Sequence, residues 1–192
     1  MANILKETVR GTDCIKIEDE LLCSREIFFT DEVNAASSAE LLKQLVYLER
    51  SASGEEITLY INSPGGDVVS GLAVYDYISL MRSPVRTVCI GTAASMGAII
   101  FLAGSRRQML PHTQIMIHDP SYGKKDIGGS KPHVIQRELN NLNKTKKVLA
   151  EIISERTGKD IEEIYRITAE DSLFDAEEAI EFGLAAEILK GE

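Results

Sequence analysis

Ser95 stands in the segment Gly91-Thr92-Ala93-Ala94-Ser95-Met96-Gly97, between an apolar run of strand character and an apolar run of helical character. One unit earlier, Asn62-Ser63-Pro64-Gly65-Gly66-Asp67 occupies a junction of the same kind. A hydroxyl where a helix begins, beside backbone flexible enough to aim N–H groups, supplies the two parts that acyl transfer needs: a nucleophile and an oxyanion hole. The small neighbours Ala93, Ala94 and Gly97 leave room for a substrate. Two readings compete for Ser95. It is either an N-cap, whose oxygen accepts a backbone N–H and is worth about 1 kcal/mol, or a nucleophile whose oxyanion meets the free N–H groups of the helix start. Local sequence alone favours the cap. The α/β-hydrolase elbow requires glycine two residues before its serine, and Ala93 fills that place, so that elbow is not expected. Pro64-Gly65-Gly66 by itself is a common turn.

Three histidines are available as a base. His118 closes an apolar strand and precedes Asp119-Pro120, which puts it at a sheet edge with a chain exit. His112 follows Pro111 in a turn, and His133 falls in the first turn of a long helix; both read as solvated. A lone histidine at a strand end is more often structural than catalytic. The chain has 30 acidic residues, so spacing cannot choose the carboxylate that would orient an imidazole. Cys14, Cys23 and Cys89 are odd in number and scattered, which gives neither a disulfide framework nor a metal site. Cys89 sits within an apolar run and reads as a small core residue.

The elements that must position these residues follow from hydrophobic patterning. The chain has 192 residues, 44% hydrophobic and 27% charged, with a formal charge of −9. That length suits one unit, 1–192, with a substantial core. The acidity argues against a nucleic-acid surface. No apolar run reaches the ~20 residues a membrane span needs, and the start lacks the apolar stretch of a secretory signal. A cytoplasmic, reducing compartment is expected. Alternating patterns place strands at 14–17, 26–29, 57–61, 85–90, 107–110, 114–118 and 185–189, with a turn at 10–13. Helices are expected at 32–50, 68–81, 95–103, 132 to about 156, 160–165 and 176–182. Residues 62–67 and 91–94 are the turns between strand and helix, and 119–131 reads as a mobile loop or an irregular edge. Strands alternating with helices at this spacing imply an α/β fold with right-handed βαβ repeats and a parallel sheet packed by helices. Active sites of such folds lie at the carboxyl ends of the strands.

Taken together, these segments resemble the ClpP family, the proteolytic subunits of ATP-dependent Clp proteases. The resemblance rests on Leu59-Tyr60-Ile61-Asn62-Ser63-Pro64-Gly65-Gly66, Tyr75-Asp76, Ala93-Ala94-Ser95-Met96-Gly97-Ala98 and Leu110-Pro111. It continues through Met116-Ile117-His118 with Pro120, Glu155-Arg156-Thr157-Gly158, and Ala176-Glu177-Glu178-Ala179 with Phe182-Gly183-Leu184. It implies a ClpP/crotonase-type fold with a long handle helix, and a serine endopeptidase with a triad of Ser95, His118 and Asp171. Backbone N–H groups of Gly66 and Met96 would form the oxyanion hole. Only the resemblance selects Asp171. It further implies seven-membered rings stacked as a tetradecamer and an AAA+ unfoldase that delivers unfolded protein substrates. The partner spends the ATP; this subunit would bind no cofactor and no metal. Residues 1–24 would form the axial segment and 119–157 the handle region. The chain starts so close to the family's axial motif, here Glu7-Thr8-Val9-Arg10-Gly11, that little or no propeptide is expected.

Several positions depart from the family pattern. Ala169-Glu170 stand where an Asp-Arg pair commonly links the rings. Thr58 and Gln108 replace aromatic residues of the unfoldase docking cleft, Asp119 replaces a glutamine, and the handle loop contains Lys124-Lys125-Asp126. The implied triad is untouched. The alternative reading these departures motivate is a weakly active structural or regulatory ring subunit, which needs another ClpP-type ring or a non-standard unfoldase. Crotonase-type acyl-CoA chemistry is a more distant alternative, because those enzymes use carboxylates where this chain has Ser95.

Overall fold

The computed structural model describes residues 3–8, 11–121 and 131–190. A two-stranded antiparallel ribbon comes first, β1 (Asn3–Thr8) and β2 (Gly11–Lys16), followed by the short helix α1 (Ile17–Cys23). Then come β3 (Glu26–Phe29), α2 (Ala35–Ser51), β4 (Ile57–Ser63), α3 (Val68–Leu80), β5 (Val85–Ala94) and α4 (Met96–Leu102). The remainder is β6 (Arg106–Met109), β7 (Gln114–Ile117), α5 (Pro132–Thr157), α6 (Ile161–Thr168), β8 (Ser172–Phe174), α7 (Ala176–Phe182) and β9 (Glu187–Ile188).

The main sheet runs β3-β4-β5-β6-β9, all parallel. It forks at β5. Arg86 to Cys89 pair with β6, whereas Thr92 to Ala94 pair with β7, which carries β8 antiparallel on its far side. Helices cover the sheet, so the central strands are buried along their length: Ile57, Leu59 and Ile61 are solvent-free, and Thr58 nearly so. This near-continuous burial is what a parallel strand requires. Helix α4 is buried at every position, as an all-round apolar helix must be. Helix α2 buries the stripe Leu41, Leu45 and Leu48 and starts with a reciprocal capping box between Asn34 and Ser37. Gly158, left-handed at φ 74°, stops α5. Buried residues on α5 are confined to Leu149, Ala150 and Ile153 near its end, and Ile135 and Leu139 are exposed. No described helix is long and apolar enough to cross a membrane.

The expected α/β organisation is present, with specific corrections. The weakly periodic first residues form a strand, β1, that patterning did not indicate, and a short helix, α1, follows β2. The turn expected at 10–13 lies partly outside the described residues, and residues 11–13 belong to β2. Helix α2 starts at Ala35 rather than 32, because Val33 is extended and pairs with Gly66. Residues 91–94, expected as a turn, are strand: they gain partners from β7 and, at Ala93, from Ser63. The antiparallel β8 was not expected from so short a run. Of the loop expected at 119–131, residues 122–130 lie outside the described residues.

Candidate active site

Ser95 sits between β5 and α4 with φ 52° and ψ −120°. Among the described residues only Arg25 and Ser95 adopt positive φ without being glycine. Such a backbone costs about 1–3 kcal/mol and persists only where the surroundings impose it. Here they do: the Ser95 amide donates to the Met116 carbonyl of β7 (2.8 Å), and its own carbonyl accepts the amides of Ala98 and Ile99. The sharp strand-to-helix bend therefore forms even though Ala93 breaks the elbow motif. Ser95 occupies the N-cap position, but its side chain makes no capping bond.

The hydroxyl points elsewhere. His118 Nε2 lies 2.8 Å from Ser95 Oγ, and His118 Nδ1 lies 2.9 Å from Asp171 Oδ1. Fixing Nδ1 as the donor to Asp171 leaves Nε2 as the acceptor for the serine hydroxyl. His118 follows β7 directly, so the pairing of β7 with β5 brings imidazole and hydroxyl to one sheet edge. Asp171 precedes β8, and the pairing of Ser172 with Ile117 sets its carboxylate opposite the imidazole. The His118 side chain is 26% exposed and that of Asp171 73%. His112 and His133 are exposed in a turn and in the first turn of α5, and neither joins this array.

The glycine turn closes the other side. Val33 donates to the Gly65 carbonyl (2.8 Å) and accepts from Asp67 (2.7 Å), an exchange in which the Gly66 amide takes no part. Gly65 and Gly66 have φ 89° and 145°. A Cβ on Gly65 would meet the Ala94 carbonyl and the Ser95 Cβ at 2.6 and 2.7 Å, and one on Gly66 would meet the Val33 carbonyl at 2.2 Å. These positions therefore require glycine on both conformational and steric grounds. Met96, the first residue of α4, contributes an amide that has no partner within its helix.

Gly66, Ser95, Met96 and His118 share one cleft of about 650 Å³. Its lining includes the buried Ile99, Leu149 and Ile153 and the half-buried Leu72, together with the exposed Glu32 and Asp67. Among the described residues, no group of three or more His, Cys, Asp or Glu side chains is placed to hold a metal ion.

Patterning did not reveal three contributors to this geometry. Val33 looked like the start of a helix, β8 is three residues long, and Lys146 meets Asp119 across 27 positions of sequence.

An α/β sheet with a strained serine at the end of a central strand, hydrogen-bonded to a histidine and through it to an aspartate, places the molecule among proteins arranged like serine hydrolases. The chain belongs to the Clp protease family: the family model described as Clp protease matches residues 9–192. It is accordingly a peptidase of the ClpP type, from a family of serine peptidases whose members form rings that work with AAA+ unfoldases.

Proposed function

We propose that the chain is the serine endopeptidase subunit of an ATP-dependent Clp-type protease, with Ser95 as nucleophile, His118 as general base and acid, and Asp171 as the group that orients the imidazole. The continuous hydrogen-bonded path from Ser95 Oγ through His118 to Asp171 is the observation that carries this reading. Ser95 Oγ attacks the peptide carbonyl while His118 Nε2 takes its proton. The carbonyl oxygen becomes an oxyanion, which the amides of Gly66 and Met96 receive in this proposal. Collapse breaks the C–N bond, His118 returns the proton to the leaving amine, and an acyl ester remains on Ser95. Water, deprotonated by the same imidazole, then releases the acid and restores the hydroxyl. Asp171 keeps the proton on Nδ1 and offsets the charge of the imidazolium.

The cleft's wall of Leu72, Ile99, Leu149 and Ile153 suits an apolar substrate side chain beside the cleaved bond. The proposed assembly is a pair of stacked seven-membered rings, fed with unfolded chains by an AAA+ partner. The exposed apolar residues Ile135 and Leu139 on the outlying half of α5 support contact with another subunit there.

A fluorophosphonate probe should label Ser95 in the wild-type protein, and Ser95→Ala should abolish cleavage of a short fluorogenic peptide. Undiminished cleavage by Ser95→Ala sinks the triad. The same assay run alongside mass measurement of the particle tests the assembly.

A second reading, a ring subunit of low intrinsic activity, is favoured by one set of contacts. Thr58 Oγ1 accepts from Arg86 Nε (3.2 Å) and Nη2 (2.9 Å), and Gln108 Nε2 donates to Glu187 (2.7 Å), which also pairs with Arg106. Polar contacts thus stand at the two positions where the family commonly carries aromatic docking residues, and Gln108 Oε1 is buried without a hydrogen-bond partner. A stable fourteen-subunit homo-oligomer with robust peptidase activity argues against this second reading.

A further inference from the structure

We propose that Asp119 is a positioning residue that, clamped by Lys146 and Thr168, sets the separation of His118 and Asp171. The inference rests on the triad reading above. Asp119 follows His118 directly and is tied to two helices through three separate bonds. Its amide donates to the Thr168 carbonyl (2.6 Å), its Oδ2 accepts from Lys146 Nζ (2.5 Å), and its Oδ1 lies 2.9 Å from Thr168 Oγ1, whose single proton it shares with the Ile164 carbonyl, also at 2.9 Å. Thr168 ends α6 and is 3% exposed, and Asp171 lies three residues beyond it. Lys146 reaches in from the middle of α5, with its ammonium 5.4 Å from the centre of the Tyr165 ring on α6.

The His118–Asp171 bond is therefore bracketed. On one side Ile117 pairs with Ser172, and on the other Asp119 is joined to Thr168. The carboxylate of Asp171 is itself 73% exposed, so the turn that carries it depends on these brackets rather than on burial. Side chains of Lys146 and Asp119 are only 32% and 30% exposed, and the ion pair is charge-assisted on a short path. Without Lys146, an uncompensated carboxylate would sit one residue from the imidazole, free to compete with Asp171 for its N–H. Without the Thr168 hydroxyl, the turn from 169 to 171 would lose a side-chain anchor and lean on the bond from Ser172 Oγ to the Ile167 carbonyl (2.8 Å) and on the Asp171–His118 bond itself. A displacement of about 1 Å in a reacting array is enough to lower a rate roughly a hundredfold.

The test uses the assembled protein, a short fluorogenic peptide, and Ser95 labelling by a fluorophosphonate. Lys146→Met should lower kcat about tenfold with KM within about twofold, the signature of an array misaligned after binding. Adding Asp119→Asn to Lys146→Met should recover most of that loss, because the amide keeps the Thr168 bond and carries no unpaired charge. Thr168→Val, close in shape, should reproduce the kcat loss without altering particle mass, and it serves as the test if Lys146→Met fails to assemble. The proposal is overturned if Lys146→Met and Thr168→Val both keep wild-type kcat, or if the double variant is no better than Lys146→Met alone. A wild-type particle that neither cleaves peptide nor takes the probe at Ser95 overturns the triad reading and this inference with it. An active wild type with indifferent variants removes only the positioning role.

Discussion

The backbone at Ser95 is held at φ 52° and ψ −120°, a conformation that glycine adopts readily and an L-side chain resists. What imposes it is the combination of a β7 carbonyl on its amide and two α4 amides on its carbonyl. The strain can be measured separately from the chemistry. Ser95→Ala and Ser95→Gly both lack the hydroxyl and should both be inactive, but the glycine variant should be the more stable to denaturant by about 1 kcal/mol, after the entropy of its unfolded chain is counted. An alanine variant of equal or greater stability would mean that the turn is relaxed. Sequence could name Ser95 as a candidate but not choose between cap and nucleophile, because both place a hydroxyl at a helix start. The choice depends on His118 and Met116, which arrive from a strand about 20 residues later, and such pairings leave no local trace. Asp171 is harder still: among 30 acids, nothing in its own neighbourhood announces that Ser172 will pair with Ile117.

At the scale of elements, the segments with strong periodicity were legible. Residues of β3, α3 and α7 fall within a residue or so of where their patterns put them, since burial of their apolar positions decides their structure. Legibility failed where a partner elsewhere in the chain overrides the local pattern. Val33 is drawn out of α2 by Gly66, and residues 91–94 become strand because β7 and Ser63 supply hydrogen bonds. A similar long-range tie joins the end of α2 to the segment before β5. The Glu49 carboxylate accepts the amides of Ser83 (3.0 Å) and Arg82 (3.3 Å) and the hydroxyl of Ser53 (2.9 Å). The Ser83 side chain, followed by these other donors, holds Glu49 down to about 2, against an ordinary value of 4.5. A depressed carboxylate contributes stability that is complete above its unfolded value and is lost as pH falls through the folded one. Glu49→Gln should therefore lower the melting temperature at pH 7, and the gap from wild type should narrow as the pH is taken from about 4.5 toward 2. A gap that stays constant over that window would show that the tie acts through shape and not through charge.

Across the whole molecule, the formal charge of −9 and the outlying half of α5 are set against the buried centre of the sheet. The acidity opposes close association of copies unless salt screens it or contacts offset it. The exposed Glu170, beside Asp171, adds to that opposition at the place where the family resemblance implies ring contacts. The fork in β5 has its own consequence. One branch, β6 with β9, continues the central sheet; the other, β7 with β8, has strands of four and three residues and carries His118 and Asp171 at its end. Ser95 belongs to the trunk, and the pair that activates it belongs to the short branch. Amide hydrogen exchange should resolve the two as separate opening units, with β7 and β8 exchanging well before β4 and the first half of β5. The nucleophile would then outlast its activating partners in any partial opening, so that catalysis is extinguished and restored by a local excursion while the core stays folded.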